Sequence, residues 1–326
     1  MRLTPLDCRI LDLLDRDARL SADEIARKLR VSGDSVLYHL AKLKDEKVLG
    51  WSGAMIDFWR LGLILFRISI KLSRNTAIES LAKKLFNIPG ITLVVETRGE
   101  HDLIVWGVAE NLKKASEAYS SANELLGSLT QTMSLELITE TSSYSRGFLV
   151  NRPGKVFPAR GDAGTLKLDK IEIEILKKVR EDARKPATII ALELDTTPAI
   201  VSYRIKKLET SGVITGYRVN LNSEKLGLQR FRAQISFHSG YNECKSALRK
   251  FAEKTPSVTR LEFHIGGWPA ELGLEIESFT KLHEALDETR SLADNGLQIN
   301  GIALFRQSIS APASNWDKIL MQLASN

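Results

Sequence analysis

Cysteine is nearly absent: Cys8 and Cys244 are the only two among 326 residues. One pair so far apart supplies neither a disulfide framework nor a zinc-ligand spacing, and both read as reduced, buried thiols. Long apolar runs are missing too. The longest candidate, Leu61 to Ile70, is broken by Arg67 and falls short of the ~20 residues a bilayer needs, so neither a membrane span nor a membrane partner is expected. The N-terminus turns acidic at Asp7 where a secretory signal needs continuous apolar character, which points to the cytoplasm. The histidines, His39, His101, His238, His264 and His283, show no metal-ligand spacing, and no Walker lysine loop, dinucleotide fingerprint or nucleophile elbow is present. The expectation is a protein that is not an enzyme and carries no cofactor and no metal.

What is present is an ordinary globular composition, 43% hydrophobic and 26% charged, over a length that calls for at least two folding units. Lys and Arg exceed Asp and Glu by 46 − 40 = 6. That excess favours an anionic partner such as nucleic acid, and its placement matters more than its size.

The chain is written twice. Shifted by 165 positions, Asp17-Ala18-Arg19 falls on Asp182-Ala183-Arg184, Tyr38 on Tyr203, Lys42-Leu43 on Lys207-Leu208 and Leu61-Gly62 on Leu226-Gly227. The register runs without a gap from about Leu6 to Phe66, and apolar positions such as Leu11 and Leu176 coincide. Between the copies, Arg146 to Thr165 contains Pro153-Gly154, Pro158, Gly161 and Gly164 and no sustained period, the pattern of a linker. Its cations, Arg146, Arg152, Lys155 and Arg160, suit a solvated tether or an arm that touches DNA phosphates.

Within the first copy, Leu6, Ile10, Leu11 and Leu14 recur at helical spacing; Ser21-Ala22-Asp23-Glu24 has capping-box form ahead of Ile25 and Leu29; Ser32 caps a third helix with Val36, Leu40 and Leu43 inward. Pro186 and Thr197-Pro198 mark the matching starts in the second copy. Three short helices with a tight second turn make a helix-turn-helix, and a short strand pair, Val48 to Ile56 and Val213 to Leu221, makes it winged. Alternating and helical periods then predict β-α-β-β-α-β in each copy, the ferredoxin-like plan. The fold class is therefore α+β: two winged helix-turn-helix domains, 1–60 and 166–225, alternate with two ferredoxin-like domains, 61–146 and 226–312. The linker is 147–165. A C-terminal helix, 313–326, carries Trp316, Ile319, Leu320 and Leu323 after a Ser314 cap and should pack on a neighbouring domain.

This order resembles the Lrp/AsnC family of transcriptional regulators, in which a winged helix-turn-helix precedes a RAM-type ferredoxin-like domain. Asp17-Ala18-Arg19, Asp182-Ala183-Arg184, Gly212-Val213-Ile214-x-Gly216-Tyr217 and Thr97-x-Gly99-x-x-Asp102 carry the likeness. The resemblance implies double-stranded DNA as partner, self-association through the ferredoxin-like domains and a small-molecule effector such as an amino acid. Ordinary members hold one copy; here the unit is tandem, so two recognition helices in one chain imply bivalent, sequence-specific binding.

With Val36, Leu40 and Leu43 inward, the residues expected at DNA are Ser32, Ser35, Tyr38, His39, Lys42 and Lys44 in the first copy. In the second they are Thr197, Ser202, Tyr203, Arg204, Lys206, Lys207 and Arg218. Hydroxyls and cations near the first turns reach base edges or phosphates, and Arg204 suits bidentate pairing with guanine. The alternative is ordinary solvated side chains, with Tyr38 and Tyr203 packed sideways on the wing. Asp34 repels phosphate, so the first helix is the weaker electrostatic binder.

By resemblance an effector would sit near Gly99, His101 and Asp102; a plain turn is the competing reading. The second copy has Gly266-Gly267-Trp268-Pro269 there, without the aspartate. Siroheme decarboxylases share the two-module plan without DNA binding and supply the alternative function. They carry arginines with glycine after the third helix, whereas Val48-Leu49-Gly50-Trp51-Ser52-Gly53 has none and Val213 to Arg218 has one; His264 on a middle strand is the feature that keeps that alternative open.

Overall fold

The structure is a computed structural model that describes residues 3–74, 76–161, 164–292 and 296–322. Asp162 and Ala163 of the expected linker and Leu323 of the last apolar stripe lie outside the described residues, as does Ala293, where the sequence spacing predicts the end of a helix from about Thr280.

Local signals decide where the helices begin. Thr4 and Asp7 form a reciprocal capping box that opens α1 (Pro5–Arg16), Ser21 and Glu24 form another for α2 (Ala22–Leu29), and Ser32 caps α3 (Gly33–Asp45). Next come β1 (Leu49–Ile56), β2 (Ile64–Leu72), α4 (Ile78–Leu85), β3 (Ile91–Arg98), β4 (Leu103–Ala109), α5 (Leu112–Leu126) and β5 (Thr130–Tyr144). The segment between the copies holds a 3-10 turn, Gly147–Val150, and β6 (Val156–Arg160). The second copy repeats the order as α6 (Lys170–Glu181), α7 (Ala187–Glu193), α8 (Pro198–Thr210), β7 (Ile214–Leu221), β8 (Gln229–Phe237), α9 (Tyr241–Lys254), β9 (Val258–Ile265), β10 (Ala270–Ile276), α10 (Phe279–Arg290) and β11 (Leu297–Ser310). The chain closes with α11 (Ala313–Gln322).

The two copies do not stand apart. Instead of a strand pair inside each helix-turn-helix module, each contributes one strand, and β1 pairs antiparallel with β7 across the repeat, Ala54 opposite Tyr217. Behind that ribbon the two heads share one core, in which Ile10, Leu14 and Leu43 join Ile175, Val179 and Leu208. The ferredoxin-like sheets merge as well. Their strands run β2-β4-β3-β11-β8-β10-β9-β5, and β5 pairs back to β2, so the eight close into a ring with β6 added beside β5. The end of β5 reaches β9 of the other copy, and the end of β11 reaches β3. Closure removes the edges that two free sheets would expose.

The linker is neither a solvated tether nor a free arm. Arg146 donates to Asp15 and to Glu275, the latter at 2.8 Å from Nε; Arg152 pairs with Asp12; Lys155 Nζ donates to the Arg16 carbonyl at 3.0 Å. Three of its four cations are thus engaged within the molecule, while Arg160 is exposed. α11 does pack on its neighbours: Trp316 stacks on Phe58 at 5.2 Å, Arg180 lies 3.8 Å over the Trp316 ring, and Leu320 is buried. Burial beneath that ring pushes the Arg180 guanidinium down to about 10. Cys244 is buried as expected, its thiol donating to the Ser239 carbonyl, whereas Cys8 is only half-buried.

Close backbone approach fixes one glycine. Gly90 has φ +87°, and a Cβ there would stand 2.4 Å from the Val108 carbonyl oxygen, across the hydrogen bond from Val108 N to Gly90 O. Gly90→Ala should therefore cost about 1–3 kcal/mol, measured as a lower urea midpoint with unchanged slope; an unchanged midpoint would refute it.

The interior between the sheets is unlike in its two halves. At matched strand positions, Leu93, Val95, Ile104 and Ala303 gather with Phe305 and Trp106 into an apolar cluster. Their counterparts in the other copy are Arg260, Glu262, Glu271 and Glu136, all ionisable. Arg67, fully buried, pairs with both Glu136 and Glu271, and Ser69 donates to Glu136 at 2.7 Å. His264 sits 3.8 Å from Glu136 and 3.7 Å from Glu262. Burial alone would raise the Glu262 carboxyl, yet Arg260 and then His264 hold it well below the usual carboxylate range. Arg232 is driven down to about 10 by burial.

Candidate nucleic-acid interface

An exposed third helix needs its apolar side anchored, and Val36, Leu40 and Leu43 on α3 and Val201, Ile205 and Leu208 on α8 supply that anchor from the shared core. Ser32 and Thr197 are the N-caps, their hydroxyl oxygens accepting from the amides of Ser35 and Ile200. Each hydroxyl proton stays available to an outside acceptor. Tyr38 is 68% and Tyr203 70% exposed, so neither packs sideways on the strand ribbon. Ser202, Lys44 and Lys206 also face outward, and Ser35 is half-buried.

Four of the remaining expected contacts, His39, Lys42, Arg204 and Lys207, are tied to the first helix of their head by one constellation, built twice. On α1, Asp7 accepts from Thr4 as a cap and also lies 2.7 Å from His39 Nδ1 and 3.5 Å from Lys42 Nζ. Shifted by 165, Glu172 on α6 pairs with Lys207 at 2.6 Å and lies 3.7 Å from Arg204, which also pairs with Asp169. Burial works to raise Asp7, but hydrogen bonds from His39 and Thr4 leave its carboxyl below the ordinary value; the hydrogen bond to Glu172 raises Lys207. His39, Lys42, Arg204 and Lys207 thus tie each third helix to the first and lie at the side of the outward arc. Arg218 turns inward, its guanidinium donating to Asp15 at 2.8 and 3.0 Å, which removes it from the phosphate-facing set.

Sequence reasoning missed Leu37, 56% exposed in the second turn of α3, because its neighbours set the apolar stripe and Leu37 falls off it. It also missed the apolar surface of α7, where Ile189 and Leu192 are exposed at the positions of Glu24 and Arg27. Among the described residues no group of histidine, cysteine, aspartate and glutamate could hold a metal ion, and no helix is long and apolar enough to cross a membrane.

At the hairpin turn, Asp102 accepts from Leu72 N at 2.9 Å and from Lys71 Nζ at 3.2 Å, while Thr97 Oγ1 donates to the His101 carbonyl at 2.8 Å. Gly99, at φ +151°, brings its backbone so near β11 that a Cβ would sit 2.9 Å from Ile302 O. A half-open polar cavity of about 310 Å³ lies beside Asp102, lined also by Lys71, Ser73, Arg74, Glu96 and Arg98. In the second copy Trp268 Nε1 donates to Glu100 at 2.9 Å, joining the two turns.

Residues 3–49 and 168–215 each match the winged helix-turn-helix DNA-binding family. An HTH-type transcriptional regulator of Pyrococcus furiosus is 31% identical over 105 residues, 32% of this chain and 71% of that protein. The HTH-type transcriptional regulator LrpA of Pyrococcus horikoshii is 48% identical over 59 residues, covering 18% of this chain and 40% of that one. Among solved structures, the siroheme decarboxylase NirDL superposes with a TM-score of 0.62 over 99% of both chains at 11% identity, a likeness of fold. The chain belongs to the Lrp/AsnC family of helix-turn-helix transcriptional regulators, with the family's two-module unit present twice.

Proposed function

We propose that this regulator binds double-stranded DNA through both heads at once, with a small zwitterion such as an amino acid modulating it from the ferredoxin-like body. One observation carries the bivalent reading: α3 and α8 both present exposed faces from a single core closed by the β1–β7 ribbon, so the two heads are held at a fixed spacing. Tethered heads of fixed geometry gain avidity when the operator matches their spacing. Lys71, Arg74 and Arg98 around the cavity suit a carboxylate, and Asp102 and Glu96 suit an ammonium.

The test uses Lys44→Ala and Lys206→Ala, one exposed cation per head. Each change should weaken binding in a fluorescence titration and lower the slope of log K against log salt by about 0.9, and the two together should add. A slope unmoved by one of them marks that head as idle and ends the bivalent reading. The whole-chain likeness to NirDL, together with buried His264, favours a second reading as a tetrapyrrole decarboxylase. Titration of purified protein with siroheme decides it: an unchanged siroheme spectrum and no loss of carboxylate from it dispose of that reading.

A further inference from the structure

The first turn of a recognition helix is where side chains meet base edges, and the two heads differ there at all three positions. Head one offers Gly33, Asp34 and Ser35; head two, at the matching positions, offers Pro198, Ala199 and Ile200. Ile200 is 42% exposed at the third position of α8, its amide capped by Thr197 and its side chain free of the core. In the second turn the contrast reverses, with exposed Leu37 in head one and exposed Ser202 in head two. A side chain without donors or acceptors can distinguish one feature of the major groove, the thymine methyl, whereas a carboxylate such as Asp34 accepts from the cytosine amino group.

We propose that Ile200 is a specificity-determining residue that packs on a thymine methyl, and that the two half-sites of the operator therefore differ in sequence. This rests on the two-headed DNA reading above. An apolar first turn gains nothing from phosphate or from water, while contact with a methyl removes both groups from solvent. Head one has Ser35 at the matching position, and its exposed apolar side chain, Leu37, comes two residues later, on the other flank of the helix. A palindrome would place one head over the wrong base.

The full chain is used to enrich duplexes from a random-sequence pool, and the enriched duplex is resynthesised with deoxyuridine replacing thymidine one position at a time. That exchange deletes a methyl and preserves every base-pair hydrogen bond. The expected result is a non-palindromic site with one thymidine, in one half, whose replacement weakens binding about three- to fivefold, the worth of one buried methyl. Ile200→Ser should lose both that penalty and the preference at that position, with an unchanged melting curve because the side chain is exposed. Ser35→Ile should create a new deoxyuridine penalty in the other half. A palindromic site, tolerance of deoxyuridine throughout, or a penalty that persists in Ile200→Ser overturns the proposal. Ile200→Ser indistinguishable from wild type also overturns it. Failure to enrich any sequence overturns the DNA reading itself.

Discussion

Arg67→Ala should lower the unfolding free energy by about 3–5 kcal/mol, the cost of stranding buried charge. Arg67 is 1% exposed and pairs with Glu136 of its own copy and Glu271 of the other, both equally buried. Removing the guanidinium leaves two carboxylates facing each other with Ser69 as the remaining donor to Glu136. Burial of an ion pair is itself costly, so the pair's loss is not the same as its net worth. The rescue variant follows from the other half of the interior, where Ile104 stands in the place of Glu271 and Ala303 in that of Glu136. Arg67→Met with Glu136→Ala and Glu271→Ile should regain most of the lost stability. Urea denaturation followed by tryptophan fluorescence measures both; a single variant within 1 kcal/mol of wild type would show that the ring does not depend on this triad.

Asp15→Ala should cost a comparable amount, again about 3–5 kcal/mol. Asp15 is fully buried on α1 and accepts from Arg218 of β7 and from both the amide and the guanidinium of Arg146. Three segments meet at one carboxylate: the first head, the second head's strand and the linker. Its loss leaves two arginines largely buried, although Arg146 keeps Glu275. The pH dependence has a definite sign. Burial alone would raise Asp15, but Arg218 and then Arg146 hold it below its ordinary 3.8. A carboxyl depressed in the folded state contributes stability in full above its unfolded value, and that contribution disappears as pH falls from about 3.8 through the folded value. The gap between wild type and Asp15→Asn should therefore be constant from pH 7 to pH 5 and close below pH 4. A gap that widens on acidification would contradict the assignment.

The candidate interface was partly legible before any coordinates. Capping patterns placed α2 and α3, and Val36, Leu40 and Leu43 told which side of α3 must be buried. Those signals are local, spanning a helical turn or two. Asp7 and Glu172 gave no such signal, because a carboxylate in the first turn of a helix looks like an ordinary dipole partner; Asp15 sits in the last turn of α1, where the dipole disfavours an anion, and no residue near it in sequence marks its partners. Their arginine, lysine and histidine partners lie from 32 to 203 positions away. For that reason Arg218 looked like a phosphate contact and Arg204 like a guanine reader, whereas Arg218 pairs with Asp15 and Arg204 with Asp169 and Glu172. The linker misled in the same way: proline, glycine and lone cations look like a tether until Asp12 and Asp15 are seen to collect them.

Periodicity and self-similarity in the chain were sufficient to establish the duplication, the alternation of helical heads with β-α-β-β-α-β bodies, and the inward stripe of each recognition helix, since all of these depend on spacing within short segments. Only the folded molecule decided that β1 pairs with β7, that two four-stranded sheets close into one ring, and that half of its interior is ionic. Pairing across copies depends on which edges and charges come together in space. Arg67 finds Glu271 and Asp15 finds Arg218 only in the other copy, and β1, β5 and β11 each pair with a strand of the other copy.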